Sequence, residues 1–173
     1  MKTEPSNSSL GCAVLTVSDS RTLDTDTSGA LLAELLVTDG HQLIDRQIVP
    51  DDRYRLRAEV SRWITDPSID VILTTGGTGF TGRDTTPEAL RPLFDKVIDG
   101  FGELFRHLSY LEIGTSTVQS RAIAGLANAT LIFALPGSSG ACRTAWEGIL
   151  SAQLNASHKP CNFVELIPRF KEN

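Results

Sequence analysis

The chain has 173 residues, enough for one globular domain and too few for two of ordinary size. Hydrophobic residues make up 40 % of it, so a core can form; intrinsic disorder and a disulfide-stapled scaffold are excluded. Its 16 Lys and Arg stand against 21 Asp and Glu, a net charge of −5, which argues against a nucleic-acid or anionic-membrane partner.

No apolar run approaches the ~20 residues that span a bilayer. The opening segment, Met1 to Gly11, is polar and lacks the apolar stretch of a secretory signal. Cys12, Cys142 and Cys161 are odd in number and far apart, as expected of reduced thiols. The expectation is a soluble cytoplasmic protein.

In chain order, residues 1–10 read as a flexible tail, and Cys12–Val17 as a buried strand ending at Ser18-Asp19-Ser20-Arg21. Leu31, Leu32, Leu35 and Leu36 share a helical face, with Gly40 placed to end that helix. His41–Val49 is a weaker strand closing on Pro50-Asp51-Asp52, and Leu56, Val60, Trp63 and Ile64 mark a second helix. Ile69–Thr74 is the clearest buried strand and runs into Thr75-Gly76-Gly77-Thr78-Gly79. Leu90, Leu93, Phe94 and Val97 follow at helical spacing, but Pro92 lies among them and predicts a kink or an early stop. Phe101, Leu104, Phe105, Leu108 and Leu111 predict one face of a further helix. Ala122–Leu126 and Thr130–Leu135 read as strands, the second ending at Pro136-Gly137-Ser138-Ser139-Gly140. A last helix carries Cys142, Ala145, Trp146, Ile149, Leu150 and Leu154, and 158–173 reads as an irregular tail after a domain over 11–157. This alternation predicts an α/β domain with a mostly parallel sheet covered on both faces.

Four polar turns therefore follow strands: Ser18–Arg21, Pro50–Asp52, Thr75–Gly79 and Pro136–Gly140. In an open parallel sheet, ligands bind beyond the carboxyl ends of the strands, where such turns converge. Glycines let backbone N–H groups approach phosphate oxygens, and Thr75 and Thr78 add hydroxyls; a tight turn requiring positive φ is the alternative. The continuation Gly82-Arg83-Asp84-Thr85-Thr86-Pro87-Glu88 supplies an arginine, an acid and hydroxyls that can hold phosphate and metal together.

Gly77, Gly79 and Gly82 match G-x-G-x-x-G, but the match follows the third strand, and Thr86-Pro87 or a Thr85/Glu88 capping box starts the helix later. We treat it as coincidental. Asp51, Asp52 and Asp84 are the carboxylates suited to Mg²⁺, which takes one or two and fills its shell with water and phosphate oxygens; helix capping is the alternative for one of the Asp51-Asp52 pair. Arg21, Arg83, Arg121 and Arg143 are candidate phosphate forks, each weighed against an ordinary solvated role. His41, His107 and His158 are isolated, and no zinc spacing or nucleophile elbow occurs.

Taken together, these residues resemble the MoaB/MogA-like family of molybdenum cofactor biosynthesis proteins, with relatives in the G and E domains of gephyrin. The matching pieces are Ser18-Asp19, Pro50-Asp51-Asp52, Thr75–Gly79 with Arg83-Asp84-x-Thr86-Pro87-Glu88, Gly100-Phe101-Gly102-Glu103, Ser120-Arg121-Ala122 and Leu135-Pro136-Gly137-Ser138. The run Cys142–Glu147 with Pro160–Phe163 resembles the B-type branch. The resemblance implies a three-layer α/β/α sandwich with a mostly parallel central sheet, assembled as a homotrimer or homohexamer. It implies binding of molybdopterin, whose terminal phosphate active members join to AMP from Mg-ATP. In that carry-over Asp51 and Asp84 are catalytic and hold Mg²⁺. The Thr75–Gly79 loop and the Asp84 segment hold the nucleotide, Glu103, Ser120, Arg121, Pro136, Gly137 and Ser138 lie around the pterin and its phosphate, and Ser18, Asp19 and Arg83 are further cofactor-binding residues. One departure stands out: the adenylylating branch usually carries Pro-Gly-Asn-Pro where this chain has Pro-Gly-Ser-Ser-Gly. A module that binds the pterin or a nucleotide without chemistry is therefore the alternative expectation, and an oligomeric scaffold the third.

Overall fold

The structure, a computed structural model, describes residues 8–172, so positions 1–7 of the expected N-terminal tail lie outside the described residues. Six strands form one sheet: β1 (Gly11–Val17), β2 (Gln42–Val49), β3 (Val71–Thr75), β4 (Lys96–Val97), β5 (Ile123–Ala127) and β6 (Thr130–Leu135), in the order β2-β1-β3-β6-β5-β4. β2, β1, β3 and β6 run parallel; β5 lies antiparallel to β6, and β4 antiparallel to β5. β1, β3 and β6 are buried along their whole length, which suits their near-continuous apolar sequences; edge strand β2 is partly exposed and carries charges.

Helices cover both faces. On one side Leu32 and Leu36 of α1 (Thr27–Thr38), Phe101 and Phe105 of α4 (Asp99–Ile113) and Cys142 and Ala145 of α5 (Ser139–Ala145) pack against Val14, Leu73 and Phe133. On the other, Leu56, Val60 and Trp63 of α2 (Arg53–Ile64) and Ala89 and Leu90 of α3 (Thr86–Leu90) pack against Leu15, Ile72 and Ile132. The result is the expected three-layer α/β/α sandwich with a mostly parallel sheet. No helix among the described residues is long and apolar enough to cross a membrane.

Connections from β1 leave to opposite sides, toward β2 on one flank and β3 on the other, so the carboxyl ends of β1 and β3 frame a topological switch point. A buried polar knot fixes this rim. Asp26 caps α1 by accepting the Gly29 N–H at 2.9 Å, and it also accepts the Thr16 hydroxyl and an Arg46 N–H, each at 2.8 Å. Burial pushes its carboxyl up, but the hydrogen bonds from Arg46, Gly29 and Thr16 outweigh burial and hold it below the usual range.

Three sequence expectations are refined. The apolar set Leu90–Val97 is not one helix: α3 stops at Leu90, a 3-10 turn spans Arg91–Leu93, and Val97 lies in β4. Pro92 has no N–H to continue the ladder, so the early stop wins over the kink. Along α4 the apolar set splits, Phe101 and Phe105 facing the sheet while Leu104 and Leu111 stay 44 % and 69 % exposed. The segment after 158 is irregular in backbone yet packed, with Val164 buried in the core and Phe163, Ile167 and Phe170 against it. Cys12 and Cys142 are buried, which pushes their thiols up to about 12 and about 11 and makes them unreactive; Cys161 is exposed.

β5 turns into β6 through Asn128 and Ala129, at φ +46° and +67°. Two positive φ values are what a two-residue hairpin of this twist needs, and an alanine there is strained by about 1 kcal/mol or more. Ala129→Gly is expected to raise the calorimetric Tm by roughly 2–4 °C for a chain of this size.

Candidate functional site

The glycine loop leaves β3 in a conformation that only glycine permits. Gly76 has φ +102°, and a Cβ there would sit 2.3 Å from the Val17 carbonyl oxygen at the end of β1. Gly77 has φ +67°, and its Cβ would meet the Thr86 hydroxyl at 2.3 Å and Asp51 Oδ1 at 3.4 Å. Thr86 staples the loop from below, its hydroxyl donating to the Gly76 carbonyl and its N–H to the Gly77 carbonyl, both at 2.9 Å. Toward β6, the Gly76 N–H donates to the Leu135 carbonyl and the Thr75 hydroxyl to the Pro136 carbonyl, both at 3.0 Å. Thr75 is thereby a buried tie between two loops. A Cβ at Gly137 would lie 3.3 Å from the Gly76 Cα, and one at Gly79 would lie 2.8 Å from Asp84 Oδ2. Gly77, Asp51, Asp84 and Gly137 thus share one rim. Nothing approaches the Cβ position of Gly82, so the third glycine of the G-x-G-x-x-G match has no packing role.

The acids of the rim divide the work. Asp52 is the helix cap, its Oδ1 accepting the N–H groups of Tyr54 and Arg55 at 3.0 and 2.8 Å. Asp51 is left for the site. Asp19 and Asp51 exchange reciprocal bonds, each carboxylate accepting the other's backbone N–H at 3.1 and 3.0 Å. Arg83 reaches across from the glycine-loop side and forks onto Asp19 with contacts of 2.7–3.0 Å. That pairing holds the Asp19 carboxyl below its ordinary range. Burial, with the negative charges of Asp19 and Asp84, pushes Asp51 above its own. The Thr81 hydroxyl, helped by the Thr81 and Gly79 N–H groups, keeps Asp84 low and ionised. Ser18 accepts the Ser20 and Arg21 N–H groups and shapes the β1 turn.

A cleft of about 380 Å³ opens above the loop. Gly76, Gly77, Thr78, Gly79 and Asp84 form one wall, Pro136, Gly137 and Ser138 a second, and Phe105, Ser109, Ile113 and Ser120 a third. Ser138 also caps α5, accepting the Ala141 N–H at 3.1 Å. Arg121 does not face this cleft. It grips the loop from behind: Nε donates to the Gly79 carbonyl at 2.8 Å, Nη2 to the Asp84 carbonyl at 2.9 Å, and Nη1 pairs with Glu88. Glu88 is therefore Arg121's partner and not a capping-box acid, and Thr85 caps α3 without a side-chain bond. Glu103 lies exposed on α4 and lines no part of the cleft. Arg21 and Arg143 are spent on the Thr25 carbonyl and on Glu147. Ser109, Ser116 and Gln119 line the cleft but escaped the sequence reading. The usable signal was Ser109, a polar residue four positions beyond Phe105 on the buried face of α4.

Among the described residues, no group of three or more His, Cys, Asp or Glu is placed to hold a metal by itself. Asp51 and Asp84 are the rim carboxylates that could hold a hard divalent cation: burial first, then the charges of Asp19 and Asp84, raises Asp51, and a bound cation would offset that. Two carboxylates with water and phosphate oxygens are an ordinary Mg²⁺ set.

The fold and rim define a three-layer α/β domain with a glycine-loop site at its switch point. The chain belongs to the family described as "Probable molybdopterin binding domain", whose model matches residues 13–156. It is 57 % identical over 151 residues to molybdenum cofactor biosynthesis protein B of Escherichia coli K12, covering 87 % of this chain and 89 % of that one. A crystal structure of molybdenum cofactor biosynthesis protein B superposes with TM-score 0.84 at 46 % identity, over 87 % of this chain and 94 % of the other. The tungsten cofactor synthesizing protein MoaB of Pyrococcus furiosus superposes with TM-score 0.75 at 39 % identity, over 86 % and 93 %.

Because the folded state raises the Asp51 pKa, the ionised carboxylate destabilises the protein at neutral pH, and the loss shrinks as pH falls through the carboxylate range. Asp51→Asn is expected to raise Tm at pH 7 in differential scanning calorimetry, with the gain fading toward acid pH.

Proposed function

We propose that the protein acts in molybdenum cofactor biosynthesis, binding molybdopterin and transferring AMP from Mg-ATP onto its terminal phosphate. The observation that carries this reading is the meeting of Gly77, Asp51, Asp84 and Gly137 on one rim. In the reaction a phosphate oxygen of the pterin attacks the α-phosphorus of ATP. The bond from that phosphorus to the bridging oxygen of the β-phosphate breaks, and pyrophosphate leaves with the electron pair.

The difficulty is charge. Two unit charges 4 Å apart repel by about 1 kcal/mol in water and about 4 kcal/mol at an effective dielectric near 20. Backbone N–H groups of the glycine loop meet the phosphates, and Arg83, an exposed guanidinium beside the loop, lowers the local negative potential. Asp51 and Asp84 would hold Mg²⁺, which neutralises phosphate charge when bound. Arg121 keeps the loop in the receiving shape. No side chain has to form a covalent bond; catalysis here is positioning and charge compensation.

Self-association belongs to the same proposal. Leu104, Tyr110, Leu111 and Ile113 of α4 and Val118 beyond it stay 44–75 % exposed, an apolar surface that further copies of the chain would cover. Leu111→Asp is expected to lower the mass measured by light scattering coupled to size exclusion while the circular dichroism spectrum is retained.

Incubating the protein with Mg-ATP and molybdopterin should release pyrophosphate. Asp84→Asn is expected to slow that release by at least ~100-fold, the scale of losing one preorganised electrostatic group, without lowering Tm by more than a few degrees. Molybdopterin binding without pyrophosphate release would favour the non-catalytic module, for which the Pro-Gly-Ser-Ser-Gly turn at 136–140 speaks.

A further inference from the structure

α2 is a basic helix in an acidic chain. Four of the 16 Lys and Arg lie within its 12 residues, against one acid, Glu59. Arg62 is neutralised by Asp45 at 2.7 Å and by Glu59. Arg53 and Arg55 are exposed and, among the described residues, form no ion pair; the same holds for Arg91, just past the end of α3. Arg57 is pinned between the two helices, its Nε donating to the Ala89 carbonyl at 3.0 Å and its Nη2 to the Glu88 carbonyl at 3.1 Å. Carbonyls carry no net charge, so the Arg57 cation is fixed in place without being cancelled.

Arg53 and Arg57 stand four residues apart and so share one helix face. Between them Tyr54 is 71 % exposed, with the Arg57 guanidinium 5.7 Å from the centre of its ring. The charge of Arg53 also reaches α3. Burial pushes the Glu88 carboxyl up, but hydrogen bonding to Arg121 and to the backbone, with the charges of Arg121 and Arg53, brings it below its usual range. Arg53, Tyr54, Arg57 and Arg91 thus form one cationic face over α2 and α3, held from beneath by the buried Leu56, Val60 and Trp63. None of these four lines the glycine-loop cleft.

We propose that this face is a docking surface for an acidic segment of another protein. Guanidiniums strung over two helices match an extended anion better than a single phosphate, which one or two of them would satisfy. A nucleic acid is the poorer fit: its uniform negative charge would also meet Asp51, Asp52 and Asp84 at the neighbouring rim and the chain's net charge of −5. A protein segment can place carboxylates only where the arginines stand and lay an apolar side chain on Tyr54. Arg and Tyr are also the residue types that carry binding energy at protein interfaces, and a guanidinium already pinned by two carbonyls loses little freedom on binding. α2 follows Asp51 directly and α3 begins at Thr86, which staples the glycine loop, so a partner seated here stands beside the rim. The surface is separate from the AMP transfer proposed above and does not depend on it.

The test measures fluorescence anisotropy of fluorescein-labelled poly-L-glutamate with the full-length protein at low and high salt. Binding at low salt that weakens as salt rises is expected. Arg53→Glu and Arg91→Glu should each weaken it by at least ~10-fold, the scale of setting like charges against each other at an interface. Tyr54→Ala should weaken it as well, whereas Arg143→Glu, on α5, should leave it within about twofold, the effect of a charge outside the contact. Glutamate suits the first turn of a helix, so Arg53→Glu is expected to fold, as its circular dichroism spectrum would show. No binding by the parent protein, or equal loss in Arg143→Glu, would overturn the proposal. A single-stranded DNA oligonucleotide held as tightly as poly-L-glutamate and lost with the same variants would overturn it in favour of nucleic acid. A fall in the mass of Arg53→Glu by light scattering would overturn it too, by showing that the face joins copies of this chain.

Discussion

The end of β3 crosses the end of β1 so closely that a methyl group at residue 76 would sit 2.3 Å from a backbone oxygen. Everything at the rim follows from that approach. There Gly76 and Gly77 adopt positive φ, and the Gly76 N–H reaches β6. The same approach leaves Gly77 near enough to β2's exit turn that Asp51 lies beside it. The loops after β3 and β6 meet over the cleft, and the exit turns of β1 and β2 lie beside it at the rim, where Asp51 adjoins Gly77.

The rim is then tied rather than packed. Thr86, Thr75, Arg121 and the Asp19–Asp51 exchange are all polar ties; Thr86 closes the glycine loop on itself, and the other three join segments far apart in sequence. Apolar packing lies deeper, in the two layers either side of the sheet. This division suits a binding site: the core sets where strands end, and hydrogen bonds, which are directional, set where individual backbone groups and carboxylates point. The cost appears at Asp51, which burial and the neighbouring acids push toward protonation. In the proposed function, a bound cation would offset that gathering of like charges.

Much of this was legible in the sequence. Strand–helix alternation and the four polar turns led to the sheet and to the rim, because buried parallel strands are apolar throughout and their exits are polar. Family resemblance pointed to the same turns. What the sequence could not show was orientation. Arg121 reads as a phosphate fork, yet its partners Gly79, Asp84 and Glu88 lie behind the loop, 33 to 42 residues away, where only tertiary structure brings them. Glu103 reads as a site acid because it adjoins Gly102, but helical geometry turns neighbouring residues about 100° apart, so Gly102 lines a cleft and Glu103 meets solvent. Val97 escaped its helix because Pro92 ended α3, and two residues were enough to pair with β5. The pair Asp51-Asp52 could not be divided until α2 had a defined start; then Asp52 became the cap and Asp51 was left for the site.

A crystal structure of the complex with Mg-ATP addresses the rim directly. Triphosphate oxygens lying against the N–H groups of residues 76–79, with the cation between Asp51 and Asp84, is the outcome the proposed function predicts. A nucleotide ordered elsewhere on the molecule, or bound with the glycine loop untouched, would contradict it.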